Sequence, residues 1–263
     1  MSKEDFFQLC DDLIDRKNKN TKFTQLADYL FRNCCLEIKN RVFYFTELEF
    51  YYESENHQDK FRHNATQQQT RGEIYWHKSG IDITIGKAEK NIYGGVLIRG
   101  IKEEKNNGEW EYTTGPCNLV SKIILPAIDI NNAVYYGRQK LLPGQRRITN
   151  ADKEFQSKKI QLRFNHGVKE KFTFNMLQSC RVGLNKGKFS ETENPQLKDF
   201  IYRPYRYIID TDQAHLFEEK EKMSFISAVL GLIPNKKQEE TYLKLAANRD
   251  SYDWKELGNY YVK

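Results

Sequence analysis

Glu47 and Glu49 stand two positions apart in FTELEFYY, residues 45–52, a run dense in aromatic side chains. Strand side chains alternate between faces, so the two carboxylates share one face. A carboxylate among apolar neighbours is either a general base tuned by its surroundings or half of an ion pair on a solvent face. Alternation alone leaves both open. His57, His63 and His77 fall within 21 positions, with Asp59 and Asp82 beside them, which raises a metal-dependent nuclease as a reading. Their spacing is not that of a helical or paired-cysteine metal site, and the expectation is that no metal and no cofactor is needed. Pro116-Cys117 carries half of a zinc-deaminase signature without the second cysteine or the upstream His-x-Glu. The chain has no GxGxxG, Walker A, GxSxG or HExxH motif.

These residues sit in a chain of 263, of which 39% are hydrophobic, 13% aromatic and 30% charged. That apolar content supports a folded core and excludes disorder as the whole description. No apolar run approaches the ~20 residues of a membrane span, and the opening MSKEDFFQLC has no leader pattern, so no membrane partner is expected. The five cysteines, Cys10, Cys34, Cys35, Cys117 and Cys180, are odd in number and suit reduced thiols in a cytoplasm. Charge is unevenly placed. Residues 137–171 hold ten Lys/Arg against three acids, a net +7 in a chain whose total is +6. Either a polyanion partner or a solvated lysine-rich loop explains such a segment.

The positioning elements follow from periodicity. Phe6, Leu9, Leu13 and Ile14 predict a first helix; Phe23, Leu26, Tyr29 and Leu30 predict a second over about 21–32. LEIKNRVFYFTELEFYY predicts a hairpin turning at Lys39-Asn40. EIYWHKSG, IDITIG and YGGVLIRGI read as central strands, with Gly94-Gly95 marking a bulge or close backbone approach. A helix is expected after Gly115-Pro116, strands at LQSCRVGL and FIYRPYRYIID, and helices after Thr211. The expected architecture is α+β: one mixed domain over residues 1–210 with a curved, largely antiparallel β-sheet flanked by helices, an insertion-like, loop-rich basic segment at about 137–171, and a helical C-terminal extension over 211–263.

The ordered series TQLADYLFRNCCLEI, FYFTELEFYY, DKFRH, EIYWHKSGIDITIG, GGVLIRGI, GPCNLV and SCRVGL resembles the alkyladenine (3-methyladenine, methylpurine) DNA glycosylase family over roughly residues 20–210. The resemblance implies a monofunctional glycosylase that flips a damaged or modified base out of double-stranded DNA and hydrolyses its N-glycosidic bond. It implies that Glu49 activates the water and Arg99 helps hold it. Tyr51, His63 and Trp76 become the walls of the base pocket. Gly115-Pro116 would open a DNA-proximal helix, and Arg181-Val182-Gly183 matches a late strand. Where the family has a wedge tyrosine and a pocket asparagine, this chain has Ser79 and Gly86, which implies a different choice of base.

The chemistry is coherent. A carboxylate that deprotonates water also opposes the positive charge of an oxocarbenium-like transition state, and aromatic stacking of ~1–3 kcal/mol per base offsets the cost of flipping. Arg138, Lys140, Arg146, Arg147, Lys158, Lys159 and Arg181 are the expected phosphate contacts. The expected location is cytoplasmic, nucleoid-associated when bound to DNA. A nucleic-acid-binding protein on the same fold, without turnover, is the alternative from another class.

Overall fold

Helix α1, Lys3–Asp11, buries Phe6 and Cys10, and its first turn is tied by the Asp5 carboxylate accepting from the Ser2 backbone N–H at 2.5 Å. Helix α2, Lys19–Asn33, buries Phe23, Leu26, Ala27 and Leu30 along one stripe, as its 3.6-residue repeat requires. The α2 residue Lys19 reaches back so that its ammonium donates to the carbonyls of Leu13 and Ile14, acceptors left over where α1 ends.

The structure is a computed structural model and describes residues 2–14, 19–77, 80–127, 133–134, 146–147, 159–164, 176–179, 181, 184, 200 and 203–209. It divides into two compact units, residues 1–58 with 62–172, and residues 59–61 with 173–263. The segment after Thr211 lies outside the described residues.

In the first unit, β1 (Cys34–Ile38) and β2 (Arg41–Ser54) form the expected hairpin, with Lys39 in the left-handed region at φ 52°. Next come β3 (His57–Gln58), a 3-10 turn (Thr66–Gln69), β4 (Arg71–His77), β5 (Gly80–Ile85), β6 (Tyr93–Glu104) and β7 (Trp110–Thr114). The chain then continues through a helical stretch, residues 116–127, whose centre Leu119–Ile124 is π-helical. The short strands β8 (Ala133–Val134) and β9 (Arg146–Arg147) pair in parallel, and β10 (Ile160–Phe164) closes the series.

The main sheet runs in the order β10-β1-β2-β6-β5-β4, with β3 on β2 and β7 on β6, and these strands pair antiparallel. This α+β sheet curls into a half-barrel. Its end strands come close enough that a Cβ on Gly72 of β4 would meet Phe164 of β10 at 3.9 Å and Phe7 of α1 at 3.4 Å, at a φ of 69° that suits glycine. Two features correct the sequence reading. Residues 160–164, the end of the segment expected to be loop-rich, form a strand in register with all of β1. Residues 110–114 form a strand that was not anticipated.

One face of the sheet is apolar. Phe50, Val96, Ile83 and Ile74 form a row across four strands, beside Leu48 opposite Ile98 and Trp76 opposite Ile81. The α2 side chain Phe23 packs on it, with ring centroids 4.9 Å from Phe50 and 6.0 Å from Tyr52. Each fully buried Phe, Leu or Ile contributes ~1.5–3 kcal/mol relative to exposure, so this face carries most of the unit's stability. The second unit contains β11 (Leu177–Ser179) paired antiparallel with β12 (Arg206–Ile208).

Candidate active site

The opposite face of the same sheet is buried but polar. Its central row is Glu49, Leu97, Asp82 and Tyr75, one residue from each of β2, β6, β5 and β4. Glu49 is fully buried. The Tyr51 hydroxyl donates to Glu49 Oε2 at 2.9 Å, and Arg99 Nε lies 3.4 Å from Glu49 Oε1. The same Arg99 Nε donates to Glu47 Oε1 at 2.6 Å. One guanidinium therefore holds two carboxylates. Burial works against its charge, but Glu49 and then Glu47 more than offset this, and the net shift holds the proton on Arg99 more tightly than in water.

Local backbone makes this possible. Register shifts between Phe45 and Leu48 place Glu47 opposite Gly100, where a Cβ would lie 2.5 Å from Thr46 Oγ1 and 3.0 Å from Glu47 Cβ. Glycine lets β2 bulge against β6 there. Farther along β6, a Cβ at Gly95 would lie 2.5 Å from Asp82 Oδ2 and 2.7 Å from Gln68 Nε2. The pair Gly94-Gly95 marks close approach rather than a bulge, because register runs unbroken from Tyr51 opposite Gly95 to Tyr52 opposite Gly94.

On the far side of Leu97, Asp82 accepts at Oδ2 from Gln68 Nε2 at 2.9 Å and pairs at Oδ1 with His77 Nε2 at 2.9 Å. Asp82 is 2% exposed and His77 6%. His63 stands edge-on to His77, ring centroids 4.3 Å apart, and its Nδ1 lies 3.4 Å from the Tyr75 hydroxyl. Burial, and then the Asp82 charge, push the Tyr75 hydroxyl's pKa above the usual phenol value. Pro116, at the start of the helical stretch, sits over Gly80, where a Cβ would be 2.9 Å from Pro116 Cβ. Residues 116–127 are helical from that proline, as expected.

Sequence-predicted residues divide accordingly. Glu49, Arg99 and Tyr51 come together, and His63 joins the same face through His77. Trp76 does not. It lies opposite Ile81 on the apolar face, because it alternates with Tyr75 and His77 along β4. At Gly86 a Cβ would meet the backbone oxygens of Gln68 and Ile92 at 1.9 and 2.5 Å, so no side chain larger than hydrogen fits there. Arg181, expected on phosphates, is buried in the second unit, where it donates to Asp59 Oδ2 at 2.6 Å, Asp59 Oδ1 at 3.2 Å and the Phe200 carbonyl at 3.1 Å. A guanidinium buried this deeply and paired with Asp59 is not presented to a phosphate. Lys159 is exposed just before β10. Ser79, Arg138, Lys140 and Lys158 lie outside the described residues, as do the side chains of Arg146 and Arg147.

Glu47 and Gln68 were not assigned to the site in advance, and Asp82 and His77 were raised there as metal ligands. Asp82 did carry a signal, a lone acid in the apolar run IDITI. Among the described residues no three His, Cys, Asp or Glu side chains gather as a metal site. His57 instead places Nδ1 2.7 Å from the Tyr52 carbonyl and its ring edge-on to Phe23.

A protein of Acanthamoeba polyphaga mimivirus, titled uncharacterized, is 32% identical to this chain over 124 residues, 39% of this chain and 56% of the relative. The match thus spans little more than half of that relative's length. No family model matches the sequence, and no solved structure matches it. No described helix is long and apolar enough to cross a membrane.

Chemically, the face offers a carboxylate sealed from bulk water and held by a phenol and a guanidinium. Two strands away it offers an Asp–His pair. Such groups can activate a water and manage protons around a bound substrate.

Proposed function

We propose that this protein is a DNA-base N-glycosylase that uses Glu49 to activate water against C1′ of a flipped nucleotide. The observation that supports it is the buried union of Glu49, Tyr51 and Arg99, three residues that the glycosylase resemblance names. Arg99 orients the Glu49 carboxylate, which both accepts the water's proton and opposes charge developing on the sugar. His63 and Tyr75 supply flat surfaces on the same face for a base. Double-stranded DNA with a damaged or modified base is the partner, reached through the basic stretch 137–171, and the protein is cytoplasmic until it binds DNA.

The test is incubation of the purified protein with duplexes carrying a panel of modified bases, followed by hot alkali and a count of strand breaks. Breaks at one lesion, absent with Glu49→Gln and unaffected by chelator, are the expected result. Breaks that persist with Glu49→Gln reject the assignment. The positions of Trp76 and Arg181, both turned away from the roles expected of them, favour as second reading a DNA-binding protein without turnover. That protein would bind duplex in a salt-sensitive way yet leave every lesion intact.

A further inference from the structure

We propose that Glu47 is a positioning residue for the reaction: it takes the Arg99 hydrogen bond that would otherwise fall on Glu49, so that Glu49 faces the guanidinium's charge without giving Oε1 to its N–H. This rests on the glycosylase reading and deepens it. Arg99 Nε donates to Glu47 Oε1 at 2.6 Å and stands 3.4 Å from Glu49 Oε1, past the ~2.7–3.2 Å of an N–H···O bond. The other Glu49 oxygen, Oε2, accepts from the Tyr51 hydroxyl at 2.9 Å. Against the burial that works to remove it, the proton on Arg99 is held by the charge of Glu49, then by that of Glu47, and then by the hydrogen bond to Glu47.

The backbone is arranged for this. Along β2 and β6 the register runs Phe45 opposite Ile101, Glu47 opposite Gly100 and Leu48 opposite Ile98, so Thr46 is passed over on one strand and Arg99 on the other. The two irregularities cancel, and pairing is regular from Leu48 to Glu53. Their effect is therefore local. A bulged residue is left out of the ladder and its side chain is re-aimed, and on β6 that residue is Arg99. Gly100 takes part, since a Cβ there would lie 3.0 Å from Glu47 Cβ. An ion pair on a solvent face needs no such arrangement, and this one is not on a solvent face: the side chains of Arg99 and Glu47 are 12% and 9% exposed, and that of Glu49 is 0%. A second buried carboxylate is costly to desolvate, and an amide at position 47 would be cheaper.

What Glu47 adds is a division of labour at one guanidinium. A carboxylate oxygen that accepts a guanidinium N–H has committed a lone pair to it and is a poorer acceptor for the proton of a water. The same cation held just outside bonding range still orients the carboxylate through its charge. Hydrogen bonds to a carboxylate are roughly twice as strong as those to a neutral amide, so in Glu47→Gln the Arg99 N–H turns to Glu49 and takes the place of the water.

The experiment separates release from binding, on the duplex of the modified-base panel that the unaltered protein attacks. Single-turnover release by Glu47→Gln is expected to fall at least ~10-fold while the dissociation constant stays within about twofold. Glu47→Asp, which keeps the carboxylate, should recover part of that loss. An unchanged rate, a loss matched in the dissociation constant, or a Glu47→Asp no better than Glu47→Gln overturns the positioning role while leaving the glycosylase reading standing. Failure of the unaltered protein to release any base, or release that survives Glu49→Gln, overturns the glycosylase reading and this role with it. Should Glu47→Gln not fold, the Arg99 Nε–H resonance gives a readout that needs no turnover. It is expected to hold its position in Glu49→Gln, whose Glu47 acceptor is intact, and to move in Glu47→Asp. A resonance that moves with the change at Glu49 and not with the change at Glu47 overturns the assignment.

Discussion

The two faces of one sheet are both largely buried and built on opposite principles. On one, Phe50, Val96, Ile83 and Ile74 meet Phe23 of α2, and every contact lowers the free energy of the folded state. On the other, one residue over in the same strands, Glu49, Asp82, His77, Glu47 and Arg99 are held away from water by one another. Buried charges are costly to desolvate, and a paired set gives back little net stability compared with apolar side chains of the same shape. The apolar face thus carries the stability that the polar face spends, which is the pattern of a scaffold supporting a site.

The contrast can be broken at several points. Under the proposed function, Glu49→Gln is expected to reduce base release by ~10²–10⁴-fold while leaving the melting temperature unchanged or raised, since Glu47 still pairs with Arg99 and an amide is cheaper to bury than a carboxylate. Activity and thermal unfolding measured on the same preparation check this, and a large drop in melting temperature would mean that Glu49 belongs to the framework. Phe50→Ala should do the reverse, removing ~3–5 kcal/mol of stability in denaturant titration. Gly95→Ala sharpens the comparison, because its methyl points into the Asp82–Gln68 contact and its strand neighbours on either side face the core. The expected loss is ~1–3 kcal/mol, with a shift of the His77 ring resonances reporting where the strain goes.

The smallest effect is expected outside both faces. Arg71 and then Lys87 hold the Asp11 carboxyl well below the usual carboxylate range. Its folded-state pKa lies below the unfolded one, so the stabilisation is complete above the unfolded value near ~4 and is lost as pH falls further. Asp11 is part-exposed at 39%, and solvent screening leaves Asp11→Asn a loss of under ~1 kcal/mol at pH 7. Urea unfolding of both proteins at pH 7 and pH 3 should show that difference shrinking at the lower pH.

Much of this framework was legible in the chain. The repeats of Phe6 and Phe23 marked two helices, Lys39-Asn40 a hairpin, and alternation put Glu47 and Glu49 on one face. Strand β7 was missed although Asn107-Gly108 before WEYTT is a turn signal, with Gly108 at φ 81°. Strand β10 was hidden because Gln161 and Arg163 read as part of a charged stretch, whereas Arg163 bonds Glu37 of β1 at 2.7 Å. Trp76 was placed by likeness in a motif, and a shift of one residue along a strand reverses the face.

What the sequence determined by itself was the local order: helices from a 3.6-residue repeat, strands from alternation, and glycines where backbones crowd. Tertiary structure alone decided which strand lies beside which, and hence that Arg99, fifty residues from Glu49, would serve it and Glu47 together. It also decided that Asp82, His77 and Gln68 would share that face. The reason is physical. Periodicity acts between neighbours in the chain, whereas the pairing of carboxylate, guanidinium and imidazole depends on register between strands that no local pattern encodes.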